Sequence, residues 1–158
     1  MRTYKDADGR EWAVKVTVDT IERVREIGVD LGDLTTETIK RLAMDDVLLV
    51  RTLWLVCEKQ ADERGISAAQ FGEAMVGEPL ENAFDALRGS LEDFFPPRKR
   101  MFWKSMVDAE LANQAETFQV SLETLEDPQM RQQFSQAMRD RLKEEIANQL
   151  TRLKSATG

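Results

Sequence analysis

The sequence contains no histidine and a single cysteine, Cys57. Without histidine the commonest general base is missing, and with it the Ser-His and Cys-His nucleophile pairs and every imidazole metal site. One thiol excludes an intramolecular disulfide and a thiolate zinc site, and it fits a reducing cytosol. No apolar run approaches the ~20 residues that a membrane-spanning helix needs. The opening stretch, MRTYKDADGREW, lacks the apolar core of a secretory signal. A net charge of −7 argues against a general affinity for nucleic acid or an anionic membrane. No enzyme, metal or cofactor is expected from such a residue set.

What is present is a chain of 158 residues, about one domain long, whose 42% apolar fraction is ordinary for a folded, soluble protein. Charge is unevenly spread. Residues 1–95 hold 12 Lys/Arg against 20 Asp/Glu, and residues 96–158 hold 10 against 9, so the balance moves from −8 to +1. The change falls at Pro96-Pro97, a candidate hinge between two parts, residues 1–97 and 98–158.

The pattern predicts a mainly α protein: an N-terminal β-hairpin, a helical body and two long C-terminal amphipathic helices. Asp8-Gly9 reads as a tight turn, and residues 11–18 alternate, with Trp12, Val14, Val16 and Val18 on one face. An exposed hairpin edge would be a template for self-association. Asp19 with Glu22 reads as a capping box opening a short helix that Gly28 ends. Thr35 or Thr36 caps the next helix, through about Met44. Residues from Asp45 to a stop at Gly65 form the strongest helix of the first half, with Leu49, Leu53, Val56 and Cys57 as its stripe. Ser67 and Gln70 make a second capping box, and Pro79 suits the first turn of a helix carrying Leu80 to Phe95.

Beyond the prolines, Phe102, Met106, Ala109 and Phe118 make a patchy stripe, continued by Leu122 and Leu125 to a break at Asp127-Pro128. The last helix carries Met130, Phe134, Met138, Leu142, Ile146, Leu150 and Leu153 on what reads as a narrow seam. Such a seam suits one partner helix, either as an antiparallel hairpin or on another chain.

Candidate sites are few. Arg98-Lys99-Arg100 beside Phe102 and Trp103 reads first as a solvated helix junction, then as a protein contact, and last as a nucleic-acid patch. Basic residues at a helix start oppose its dipole, which leaves their placement unexplained locally. The pairs Asp45-Asp46, Asp62-Glu63 and Glu92-Asp93 point about 100° apart on a helix and read as caps and solvated faces, not ligands. Cys57 reads as a packed thiol, and Trp12 and Trp54 as core. The interface candidates are Trp103, Phe102, Met106, Phe134, Met138, Leu142, Ile146 and Leu150.

The ordered segments DADGREWAVKVTVDTIERV, DDVLLVRTLWLVCEKQADERGISAAQFGEAM and GEPLENAFDALRGSLEDFFP resemble a family of small proteins encoded among the tail genes of tailed bacteriophages and prophages, the tail assembly chaperones. The likeness covers about residues 2–97. It rests on D-x-x-G-R-x-W from Asp6 to Trp12, on Gln60-Ala61 followed by G-[IV]-[ST]-x-x-x-F-G from Gly65, and on the FFP ending at Pro96. Residues 98–158 carry no such likeness. The resemblance implies a non-enzymatic protein of the host cytoplasm that keeps the tape measure protein soluble and helps recruit tail tube subunits, with homo-oligomers possible. A virion structural component, such as a head-completion, connector or tail protein, is the alternative with the same composition.

Overall fold

The computed structural model describes residues 1–157. Among them two strands and seven helices follow in order: β1 (Arg2–Lys5), β2 (Glu11–Val14), α1 (Val18–Arg25), α2 (Glu37–Met44), α3 (Asp46–Glu63), α4 (Ala68–Glu73), α5 (Glu78–Phe94), α6 (Pro97–Glu126) and α7 (Pro128–Thr157). The mainly α class with an N-terminal hairpin and two long final helices is the one the sequence pattern predicts. The chain divides into two units, the first Met1–Leu111 and the second beginning at Ala112.

In the first unit β1 and β2 pair antiparallel, with Tyr4 opposite Trp12 and Arg2 opposite Val14. Tyr4, Trp12, Val14 and Val16 turn into a core shared with Leu49, Leu53, Cys57, Phe71, Leu87 and Leu91. Trp12 and Trp54 both stand edge-on to Phe71, with ring centres 5.0 and 5.5 Å away. The hairpin therefore obtains from α3, α4 and α5 the burial that two strands alone cannot supply.

Helix ends follow local chemistry. Ser67 Oγ accepts from the Gln70 amide while the Gln70 side chain accepts from the Ser67 amide, the capping box expected there. The first helix begins two residues earlier than the sequence suggests. Thr17 caps it, with reciprocal bonds to Thr20, so Asp19 lies inside the helix. Val18, assigned by alternation to the strand face, is consequently helical and exposed.

Gly28 and Gly65 end their helices in the same way. At φ +80° and +65° each lets the chain reverse, so that Val29 N–H reaches Val24 O and Ile66 N–H reaches Ala61 O.

The larger departure lies at Pro96-Pro97. Phe95 is extended (φ −73°, ψ 140°), as a residue before proline should be, and α6 starts at Pro97. The body does not stop there. Trp103 and Val107 are buried in its core, and the Trp103 ring lies 5.4 Å from that of Phe95. Lys104 pairs with Glu92 (3.5 Å) and Arg88 with Asp108 (3.1 Å), laying the start of α6 antiparallel along α5. The prolines thus form the corner at which the chain turns from α5 into α6, with Trp103 packed beside it. Unit one runs fourteen residues past Pro97 because those residues bring its last core side chains.

The second unit is different in kind. Between Ala112 and Thr157 no residue is buried. The turn between α6 and α7 is nonetheless well made. Asp127 Oδ1 accepts from the amides of Gln129 (2.9 Å) and Met130 (3.4 Å), Pro128 needs no partner for an N–H it lacks, and Arg131 donates back to Leu125 O.

Candidate interaction surface

The motif D-x-x-G-R-x-W turns out to be a folding lock. Asp6 is buried, and four donors converge on its carboxylate. Oδ1 accepts from the amides of Asp8 (3.0 Å) and Arg10 (2.9 Å); Oδ2 accepts from Arg10 Nε and Trp12 Nε1, both at 2.8 Å. Gly9 takes the positive φ that closes the loop. Burial opposes the charge on Asp6, but the bonds from Trp12 and Arg10 outweigh it and hold the carboxyl below its usual range. Trp12 is sealed from outside by the Arg64 guanidinium, 4.8 Å above its ring.

The second strand's outer edge is closed. Gln60 on α3 accepts from Ala13 N–H (3.0 Å) and donates to Ala13 O (2.7 Å), and Arg64 donates to Glu11 O (2.7 Å). The β2 edge is therefore not the free template that the hairpin suggests in isolation.

Other candidates resolve into structure. Cys57 is fully buried, and burial pushes its thiol up to about 12, so it is packed and not nucleophilic. Asp45 caps α3 by accepting from Leu48 N–H, Glu92 pairs with Lys104, and Asp93 accepts from Arg2. Among the described residues no group of three His, Cys, Asp or Glu side chains is placed to hold a metal. No described helix is long and apolar enough to cross a membrane.

The predicted interface residues separate into two sets. Trp103, the aromatic expected at the surface, is 1% exposed and belongs to the core, because its ring fills the corner beside Phe95. The buried face of α6 is Trp103, Val107 and the partly buried Leu111, one residue on from the Phe102–Met106 stripe that the sequence suggested. Met106 is half-buried and Phe102 remains exposed.

The other set is uncovered. Phe134, Met138, Leu142, Ile146 and Leu150 are all exposed, as are Phe118, Leu122 and Leu125 of α6. From Met130 to Leu153, the large apolar residues of α7 are 45% to 62% exposed. Comparisons with protein-family models, curated proteins and solved structures find no match to this chain.

The shape of the exposed row matters. Phe134, Met138, Leu142, Ile146 and Leu150 are four residues apart throughout, and a helix turns about 100° per residue, so each step advances about 40°. Across the row the apolar line winds about 160° around α7. It is a right-handed spiral stripe, not the straight narrow seam inferred from its membership. A heptad partner running parallel would lose it after two contacts. A helix crossing at about −50°, with its own four-residue ridge in the groove, would follow it.

Proposed function

We propose that this chain is a non-enzymatic, protein-binding phage protein, a tail assembly chaperone that covers exposed helix stripes of the tape measure protein and helps recruit tail tube subunits. The observation that carries this reading is the uncovered apolar row of α7, set among charged and glutamine side chains in a unit with no buried residue among those described. A row of large apolar side chains left open over most of a 30-residue helix marks an association site. The two methionines in it, Met130 and Met138, adapt to irregular partner surfaces and favour contacts that can be released. The resemblance of residues 2–97 to tail assembly chaperones supports the class of partner. That part of the chain carries most of the buried core.

The test is co-expression of the full chain with a helical tape measure fragment. The wild type should retain the fragment, and Leu142→Asp with Ile146→Asp should release it without altering the body. Equal retention by both overturns the assignment of α7. Mass spectrometry of purified particles then distinguishes the classes. A chaperone is scarce or absent there, whereas a virion structural component is stoichiometric.

A further inference from the structure

We infer that the first unit associates head to tail with a second copy of this chain, an acidic apolar groove at the start of α5 receiving the cationic corner at the start of α6. The groove, with a volume of about 650 Å³, lies between α2, α3 and α5. Its accessible apolar surface comes from Ala43, Leu80 and Phe84 over the buried Leu42 and Leu49, and the carboxylates of Asp46, Glu78 and Glu81 stand around it. No Lys or Arg lines it. A fourth acid there, Asp85, is already engaged by Arg88 (3.5 Å). The neighbouring Met44, Val47 and Val76 are all more than half exposed, which extends the apolar surface beyond the groove.

The complement is on the same unit. Of the basic triplet, Arg100 is already engaged, donating to Phe95 O and Asp93 O and so capping the end of α5. Arg98 and Lys99 are not. Among the described residues they form no ion pair, and they stand at a helix N-terminus, where the dipole disfavours them. Beside them Met101 and Phe102 are 73% and 58% exposed. Two free cations and two free apolar side chains therefore match an apolar groove with free carboxylates.

The two surfaces cannot meet within one chain. The groove uses the first turns of α5, and the corner follows its last, so the 17-residue helix holds them about 25 Å apart. The contact is possible only between copies. It joins different patches, so it builds a ring or an open chain of subunits, not an isologous pair.

The experiment is sedimentation of the full chain over a range of concentrations and salt. The wild type should self-associate, and at least about tenfold more weakly at high salt as the charges are screened. Glu78→Lys with Glu81→Lys disables the groove; Arg98→Ser, Lys99→Ser and Phe102→Ser together disable the corner. All five positions are at least partly exposed, and circular dichroism checks that each variant folds. Each alone should be monomeric. Mixed in equal amounts, they should form a 1:1 dimer that grows no further, since one intact groove and one intact corner remain. A monomeric wild type overturns the inference. So does self-association that survives either set of changes, or a mixture that stays monomeric. Loss of association on Leu142→Asp and Ile146→Asp, with the groove and corner variants unaffected, would assign the contact to α7 instead.

Discussion

Replacing Asp6 by asparagine should destabilise the first unit by about 2 kcal/mol, because it inverts one half of the lock and leaves the other intact. Asparagine keeps an oxygen for the amides of Asp8 and Arg10, but sets an NH₂ group against Trp12 Nε1 and Arg10 Nε, the two donors now 2.8 Å from Oδ2. Trp12 is fully buried, so its indole N–H has no water to turn to, and an unmatched buried donor costs about 1–3 kcal/mol. Arg10 is partly exposed and can turn to solvent, so its bond contributes little to the estimate. Alanine also removes the two amide bonds and should cost about 3 kcal/mol.

The assay is urea unfolding followed by tryptophan emission. Trp12, Trp54 and Trp103 all lie in the first unit, so the signal reports that unit alone. With a slope of about 1–3 kcal/mol per molar urea, the asparagine variant's midpoint should fall by roughly 1 M. The pH dependence is the sharper check. The Asp6 carboxyl is held below its usual range in the folded protein, so its contribution is complete above the ordinary carboxylate value and lost as pH falls through the depressed folded one. The gap between wild type and variant should therefore close in acid. A variant as stable as wild type at neutral pH, or a gap unchanged in acid, would refute the reasoning.

Two further outcomes test the placement of other residues. Trp103→Ala should cost about 3–5 kcal/mol in the same assay, whereas Phe102→Ala, one position away and exposed, should change stability by less than about 0.5 kcal/mol. Equal effects would return Trp103 to the surface. Cys57 should resist a thiol reagent in the folded protein and react on unfolding, since burial raises its thiol to about 12; rapid native labelling would show a groove reaching it.

Most of the body is legible in residue order because its punctuation is local. Ser67 with Gln70, and the glycines at 28 and 65, decide their helix ends through bonds within a few residues, and the helices start and stop where those residues predict. Where two local solutions compete, residue order does not choose. Thr17 with Thr20 and Asp19 with Glu22 are both reasonable caps, and the hydroxyl pair wins because both of its members bond back. On α6 the stripes Phe102–Met106 and Trp103–Val107–Leu111 differ by one residue, about 100° of rotation. Only the pocket beside Phe95, made by a helix turned back through two prolines, decides between them. The winding of the α7 row is implicit in its unbroken spacing of four. The closure of the hairpin by Gln60, 47 residues away in the chain, has no such local signal.

That closure has a consequence for what the hairpin can pair with. A carboxamide sets a C=O acceptor beside an N–H donor, as a peptide backbone does, so Gln60 stands where the next strand's backbone would be and occupies both groups of Ala13. An added strand finds the groups of Ala13 and the Glu11 carbonyl already taken, while the apolar row of α7 stays uncovered. A single glutamine closes this strand edge to further β-pairing. Gln60→Leu, which keeps the bulk and removes the mimicry, should leave a chain that gains affinity for β-strands as it loses its own solubility.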